Sequence, residues 1–382
     1  MAPFAQVAQD VSNAEAARAA AEHLNRAGDF AVDVEADAMH AFRARLCFVQ
    51  LGTDEQIFLF DTLVPGVQAQ LLADAFADPA QTKYFHAAGG DLQYLSEAGV
   101  RVKGLFDTHR AATLLGWPKV GLADLVLERL GVKLAKEHQQ SDFSLRPMPP
   151  GMRDYIADDV RYLCEIGRQV QAECRKADIH EEVLLDCQRM ADAAADRPDL
   201  ADFEPKLPKG GLAGQGKLLA LAIARELHSK RLAWAEADNV PMGRMLSNAA
   251  LGAIATEPPQ DENSLRRLQG VRGPFVREHG PEVLSIVARL SALAKEGKLE
   301  GPTGREARDP KRKRREDALK AFRAEKATAR KVTPSAVLPN PLVDQLSRQP
   351  PAGLAELAQV PYFGEKRVQL YGAELVALLA KD

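Results

Sequence analysis

The feature that most restricts this chain is a gapless internal repeat. Residues 244–284, RMLSNAALGAIATEPPQDENSLRRLQGVRGPFVREHGPEVL, lie over residues 336–376, AVLPNPLVDQLSRQPPAGLAELAQVPYFGEKRVQLYGAELV, at a constant shift of 92 positions. Leu246 meets Leu338, Asn248 meets Asn340, Pro258 and Pro259 meet Pro350 and Pro351, and Gly280 meets Gly372. Both copies carry helix-like apolar spacing interrupted by Pro and Gly. A segment that recurs as a unit folds as a unit. The repeat therefore predicts two small all-α domains, at 213–292 and 312–381, joined by a polar linker over 293–311.

The region before the repeat has a different rhythm. The runs FAVDVEA, RLCFVQLG and QIFLF, all between residues 30 and 64, read as strands, and KYFHA reads as a further short one. Helical spacing follows over 67–77, 90–98, 108–115 and 122–130, and then from 151 to about 191. Such alternation implies an α/β domain with a mixed sheet over 1–192, its core at about 28–180. A linker over 193–212, with Pro198, Pro205, Pro208 and several glycines, closes it.

At 382 residues the chain is long for one core, consistent with several domains. No apolar run approaches the roughly 20 residues that cross a bilayer, and the first thirty residues lack the basic start and apolar segment of a secretory signal. The expectation is a cytoplasmic protein without a membrane partner. Cys47, Cys164, Cys174 and Cys187 have no metal-ligand spacing and are expected to be buried thiols. The formal charge of −3 argues against an all-over basic coat, yet residues 311–331 hold ten Lys or Arg against three Asp or Glu. That segment can attract phosphate or simply solvate a helix.

Three local patterns could carry chemistry. Asp33 and Glu35 stand two apart in a strand, so both carboxylates face one side and need a cation or solvent to offset their repulsion. Asp91 follows KYFHA and two glycines, where it could cap a helix or enter a site. Tyr155 and Asp159 stand four apart in RDYIADDVRYL, on one helix face, whereas Asp158 points roughly 100 degrees away. Neither GxGxxG nor GxxxxGK follows the first strand, which disfavours a nucleotide-binding fold of the Rossmann or P-loop kind.

Together these residues resemble the DEDD superfamily of 3′–5′ exonucleases, in its tyrosine-containing branch, and within it the ribonuclease D family. Its first motif resembles VDVEAD, its second FHAAGGDLQYL, and its third the Tyr155 and Asp159 pair. RLCFVQLG with Gln50, FDTHRAATLLG with Asp107 and SDFSLRPMP with Arg146 and Pro147 extend the likeness. The last departs from the family in carrying Phe143 where tryptophan is more usual, a change that preserves an aromatic wall. The two repeats resemble HRDC domains.

The resemblance implies an RNase H-like mixed-sheet exonuclease domain followed by two HRDC-like domains. It implies two divalent ions, Mg2+ or Mn2+, with Asp33 shared between them, Glu35 and Asp159 completing one site, Asp91 serving the other and Tyr155 orienting a water. The expected substrate is RNA with a free 3′ end, typically a tRNA precursor or another small structured RNA, released as nucleoside 5′-monophosphates. A DNA exonuclease acting in repair is the alternative, and no obligate protein partner is expected. His40, Phe42, Gln50, His86, Asp107 and Arg146 are candidate substrate contacts, with structural roles open for His86 and Gln50. Lys230, Arg231 and Arg323 are candidate phosphate contacts, as are Lys366, Arg367 and the KRKRR run at 311–315.

Overall fold

The order of six strands in a single sheet, β1-β4-β3-β2-β5-β6, decides what the chain can bring together. The strands are β1 (Ala8–Val11), β2 (Asp29–Ala36), β3 (Leu46–Gly52), β4 (Ile57–Asp61), β5 (Thr82–Phe85) and β6 (Leu105–Asp107). The middle of the sheet, β2-β3-β4, is antiparallel, while β1 joins β4, β5 joins β2 and β6 joins β5 in parallel. A mixed sheet with helices on it is the expected α/β architecture. A computed structural model provides these coordinates and describes residues 6–135, 138, 141–149, 151–196, 207, 212–299 and 309–380. Most of the 193–212 linker and residues 300–308 of the second linker lie outside the described residues.

Eight helices accompany the sheet: α1 (Ala14–Arg26), α2 (Ala73–Ala77), α3 (Gly89–Glu97), α4 (Thr108–Leu115), α5 (Leu122–Leu130), α6 (Met152–Arg161), α7 (Leu163–Lys176) and α8 (His180–Ala195). The pattern over 151–191 resolves into three of them, because the chain turns at Tyr162 and again at Asp178, whose φ is +54°. The span 67–77 begins as a tight 3-10 turn at Ala69–Leu72 before α2. Strand β1 and helix α1 extend the ordered domain upstream of residue 28. Asn13 caps α1 by accepting from the Ala16 N–H at 2.9 Å.

Close approach of α6 to the sheet is set by one glycine. A Cβ on Gly52 would lie 2.8 Å from the Val160 carbonyl oxygen and 3.2 Å from its Cβ. Only a bare backbone at the end of β3 lets α6 lie this near, and α6 carries Tyr155 and Asp159. Cys47, Cys164, Cys174 and Cys187 are all free and buried, as expected.

The repeats are two helical domains. The first comprises α9 (Gly214–Ala237), α10 (Met242–Met245), α11 (Asn248–Thr256), α12 (Glu262–Arg267) and α13 (Gly273–Lys295). The second comprises α14 (Pro310–Arg330), α15 (Pro334–Val337), α16 (Asn340–Arg348), α17 (Leu354–Ala358) and α18 (Glu365–Leu379). Each repeats one internal bond at the 92-residue shift. Arg231 donates to the Leu246 carbonyl at 3.0 Å and to Asn248 Oδ1 at 2.8 Å, and Arg323 donates to the Leu338 carbonyl and Asn340 Oδ1, both at 2.9 Å.

The chain divides into two compact units, of which one unites the sheet domain with the second helical domain and the other holds residues 37–45 with the first. Within the former, Ala336 is buried in the sheet domain's own core cluster. Glu182, on α8, is 1% exposed and is met by Arg330 at 3.1 Å and Lys366 at 3.2 Å. Thr333 donates to the Leu114 carbonyl, and the Tyr362 hydroxyl to Asp192 Oδ2. Gly364 completes the fit: its φ is +84°, and a Cβ there would collide with Leu185 and Glu181. The second helical domain is therefore packed onto the sheet domain.

Candidate active site

Asp33 and Glu35 project from the same face of β2, as the two-residue spacing requires. That face is covered by α6, which presents Tyr155 and Asp159 across it. One oxygen from each of Asp33, Glu35 and Asp159 falls within 4.8 Å of the others. Asp91 enters in the first turn of α3, outside that tight trio. Asp33, Glu35, His86, Tyr155 and Asp159 line one cleft of about 420 Å³, whose other walls include Gly121, Leu122, Asp124, Leu134 and Leu163.

Electrostatics explains what the cleft lacks. Burial, opposed by a bond from the Val34 backbone N–H, raises the Asp33 pKa from 3.8 to about 7. Burial and then the charges of Asp33, Asp159 and Asp91 raise that of Glu35 to about 9. Asp159 rises to about 8 through burial, Asp33 and Asp158. Asp91 is driven well above the carboxylate range by burial and by Asp33, Asp107 and Asp159. Tyr155 is raised in turn by burial and by Asp159, Glu35 and Asp33, so its hydroxyl keeps its proton. Among the described residues no Lys, Arg or His forms an ion pair with any of the four acids. Three clustered carboxylates with a fourth, Asp91, near enough to raise the Glu35 pKa and with no protein cation suit a divalent ion.

Several other candidates are structural. Asp107 is 1% exposed and accepts from the backbone N–H groups of Ala87, Ala88 and Arg110 at 3.1, 3.0 and 3.0 Å. It caps α4 and pins the turn that leads into α3, so it positions Asp91 and does not reach substrate. Arg146 is held by a bidentate pair to Asp61, at 2.6 and 2.7 Å, and lies 4.2 Å over the Phe48 ring. Phe143 is 3% exposed and belongs to the sheet domain's core. Gln50 stands opposite Asp33 in the ladder, is fully buried, and has no hydrogen-bond partner for either amide atom among the described residues. As the direct antiparallel partner of Asp33, Gln50 projects its side chain from the same face of the sheet.

Among the expected phosphate contacts, Arg231, Arg315 and Arg367 are buried, whereas Lys230, Lys311 and Arg314 keep exposed side chains. Arg231 is fully buried, its two terminal nitrogens meeting Leu246, Asn248 and His228 while its Nε has no partner among the described residues. Arg323 is tied to its equivalent partners, and Arg367 is 1% exposed with four carbonyl acceptors. Lys366 is committed to Glu182 and Asp178. In the 311–315 run, Arg312 pairs with Asp344, Lys313 with Asp317, and Arg315 donates to the Ser347 carbonyl. Lys230 is half-exposed in an ion pair with Glu282. His40 and Phe42 lie on the 37–45 segment of the other unit, where the Phe42 N–H donates to Asn239 Oδ1. One neighbour was not read from sequence: the His138 ring meets Tyr155 edge-on at 5.8 Å.

Comparison with known proteins agrees with this geometry. Residues 8–175 match a family model described as 3′-5′ exonuclease, and residues 220–287 and 312–379 each match the HRDC domain. Ribonuclease D of Gluconacetobacter diazotrophicus is 31% identical over 277 residues, covering 71% of this chain and 69% of that protein. The chain belongs to the ribonuclease D family. It is a 3′–5′ exoribonuclease. Ribonuclease D of Acidiphilium cryptum is 28% identical over 378 residues, 97% of this chain and 94% of that one. In structure, Escherichia coli RNase D matches with a TM-score of 0.71 at 22% identity, over 98% of this chain and 99% of that one, which shows the shared fold.

Proposed function

We propose that this exoribonuclease removes 3′-terminal nucleotides from tRNA precursors and other small structured RNAs in the cytoplasm, with two divalent ions, Mg2+ or Mn2+, held by Asp33, Glu35, Asp91 and Asp159. The observation that carries the reading is the half-buried trio of carboxylates whose oxygens fall within 4.8 Å of one another. Asp33, Glu35 and Asp159 would hold one ion, and Asp33 with Asp91 the other. Such ions supply Lewis-acid stabilisation of the phosphoryl group and an acidified water.

The chain's own groups do the rest. Tyr155 keeps its proton and sits on the same helix face as Asp159, so its hydroxyl can orient the attacking water. Asp107 fixes the entry of α3 and thereby the place of Asp91. Leu122, Leu134 and Leu163 give the cleft an apolar wall that excludes bulk water from one side. RNA as substrate is supported by the ribonuclease D relatives, and structured RNA by the description of the E. coli structure as an exoribonuclease involved in structured RNA processing. Matched RNA and DNA oligonucleotides with free 3′ ends test the polymer. Stepwise loss from the RNA is expected, and preferential shortening of the DNA would overturn the assignment.

A further inference from the structure

The imidazole of His86 is locked in one tautomer by its neighbours. Thr108 Oγ1 donates its single proton to the Phe85 carbonyl at 2.9 Å. The same oxygen lies 2.9 Å from His86 Nδ1, and with its proton already used it can only accept there. The proton is therefore assigned to Nδ1 by the network, and Nε2 carries a lone pair. Thr108 cannot readily rotate away, because it is fully buried as the first residue of α4, directly after the Asp107 cap.

Strand parity directs this ring toward the carboxylates. Ala31 and Tyr84 are the last partners in the parallel β2–β5 ladder, and the same alternation, carried one residue past the end of β5, puts His86 on the side of Asp33. Tyr84 confirms which side, since its ring packs against Gly167 of α7, next to α6. His86 lines the same cleft as Asp33, Glu35, Tyr155 and Asp159, and its Nε2 has no protein partner among the described residues. His109 meets the ring edge-on at 5.5 Å and restricts its rotation. Burial lowers the His86 pKa to about 4, against the pull of Asp107 and with His109 adding to the fall, so the neutral ring prevails at physiological pH.

A fixed acceptor within a cleft lined by acids cannot serve a phosphate, which offers only further acceptors. Its complement is a hydroxyl donor, and the terminal nucleotide of an RNA brings two. We propose that His86 Nε2 accepts a hydrogen bond from a ribose hydroxyl of the 3′-terminal nucleotide and that this contact lets the site favour RNA over ends lacking that hydroxyl. The proposal rests on the exoribonuclease reading and names the substrate group that the pocket reads.

The test uses the full-length protein and three oligoribonucleotides of one sequence, ending in a ribo-, a 2′-deoxy- or a 3′-deoxynucleotide. The wild type is expected to lose about 10- to 100-fold in kcat/KM on one of the two deoxy ends, because a partly buried acceptor is left unpaired. His86→Phe, which keeps the ring shape, should bring that ratio close to one, as should Thr108→Val, while Thr108→Ser should restore it. Binding of the same oligonucleotides in EDTA, read by fluorescence anisotropy, should show the same preference without turnover. An unchanged ribo-to-deoxy ratio in His86→Phe, with the variant melting near the wild-type temperature, would overturn the proposal, as would an equal fall on all three ends. If the wild type shortens none of the RNAs, the exoribonuclease reading itself fails.

Discussion

Replacing Glu35 by Gln should stabilise the metal-free protein at alkaline pH, although it removes a residue of the active site. The unfolded chain ionises this carboxyl near 4.5, whereas the folded chain holds its pKa at about 9. A raised folded value means that stability is complete below about pH 4.5 and is lost as pH climbs toward 9. At pH 8 the loss is 1.36 × (8 − 4.5), or about 5 kcal/mol, and about half of that after allowance for water entry and for sharing among four coupled acids. Roughly 2–3 kcal/mol corresponds to about 5–10 °C in melting temperature for a domain of this size. Differential scanning fluorimetry in EDTA should therefore show Glu35→Gln melting higher than the wild type at pH 8 and nearly alike at pH 5. Added Mn2+ should raise the wild type and barely move the variant. Equal melting of the two proteins at pH 8, or an equal Mn2+ response, would refute the reasoning that unbalanced charge is stored in this cleft.

Other perturbations separate structural from functional roles. Glu182→Gln leaves Arg330 and Lys366 facing a neutral group in the buried contact between the sheet domain and the second helical domain, at a cost of about 2–3 kcal/mol once their partial exposure is discounted. Limited proteolysis should then release the second helical domain earlier than in the wild type. Arg231→Met should destabilise the first helical domain by about 2–4 kcal/mol in thermal melts and leave the RNA affinity of the folded fraction unchanged, since the guanidinium is buried. Asp107→Ala removes three backbone bonds and should lower kcat about tenfold through Asp91 while changing KM little, which initial-rate kinetics will show.

The parts of the site visible in the sequence are those fixed by a local period. Asp33 and Glu35 follow from the two-residue repeat of a strand, and Tyr155 and Asp159 from the helical turn. Asp91 was accessible through family resemblance alone, because an acid in the first turn of a helix is ordinary. Arg231 and Arg367 read as surface cations for a physical reason: a charge pattern does not tell a solvated cation from a guanidinium buried against internal acceptors. The repeat held a usable signal, since Arg231 and Arg323 recur at the same shift as Asn248 and Asn340, their acceptors. Recurrence of a donor with its acceptor marks an internal bond. Docking of the second helical domain had no such signal, because Glu182 reads as any exposed helical acid until tertiary structure buries it. Strand β6, three residues long, and strand β1, four residues long, are too short for a period to show.

The most direct measurement follows a 5′-labelled, 3′-extended tRNA precursor incubated with Mg2+ or Mn2+ and the full-length protein, wild type beside Asp33→Asn. A ladder of products shortened one nucleotide at a time from the 3′ end, absent in EDTA and in Asp33→Asn, is predicted. Internal cleavage fragments, or an undiminished ladder from Asp33→Asn, would contradict the assignment of these four carboxylates to a metal-dependent exonuclease site.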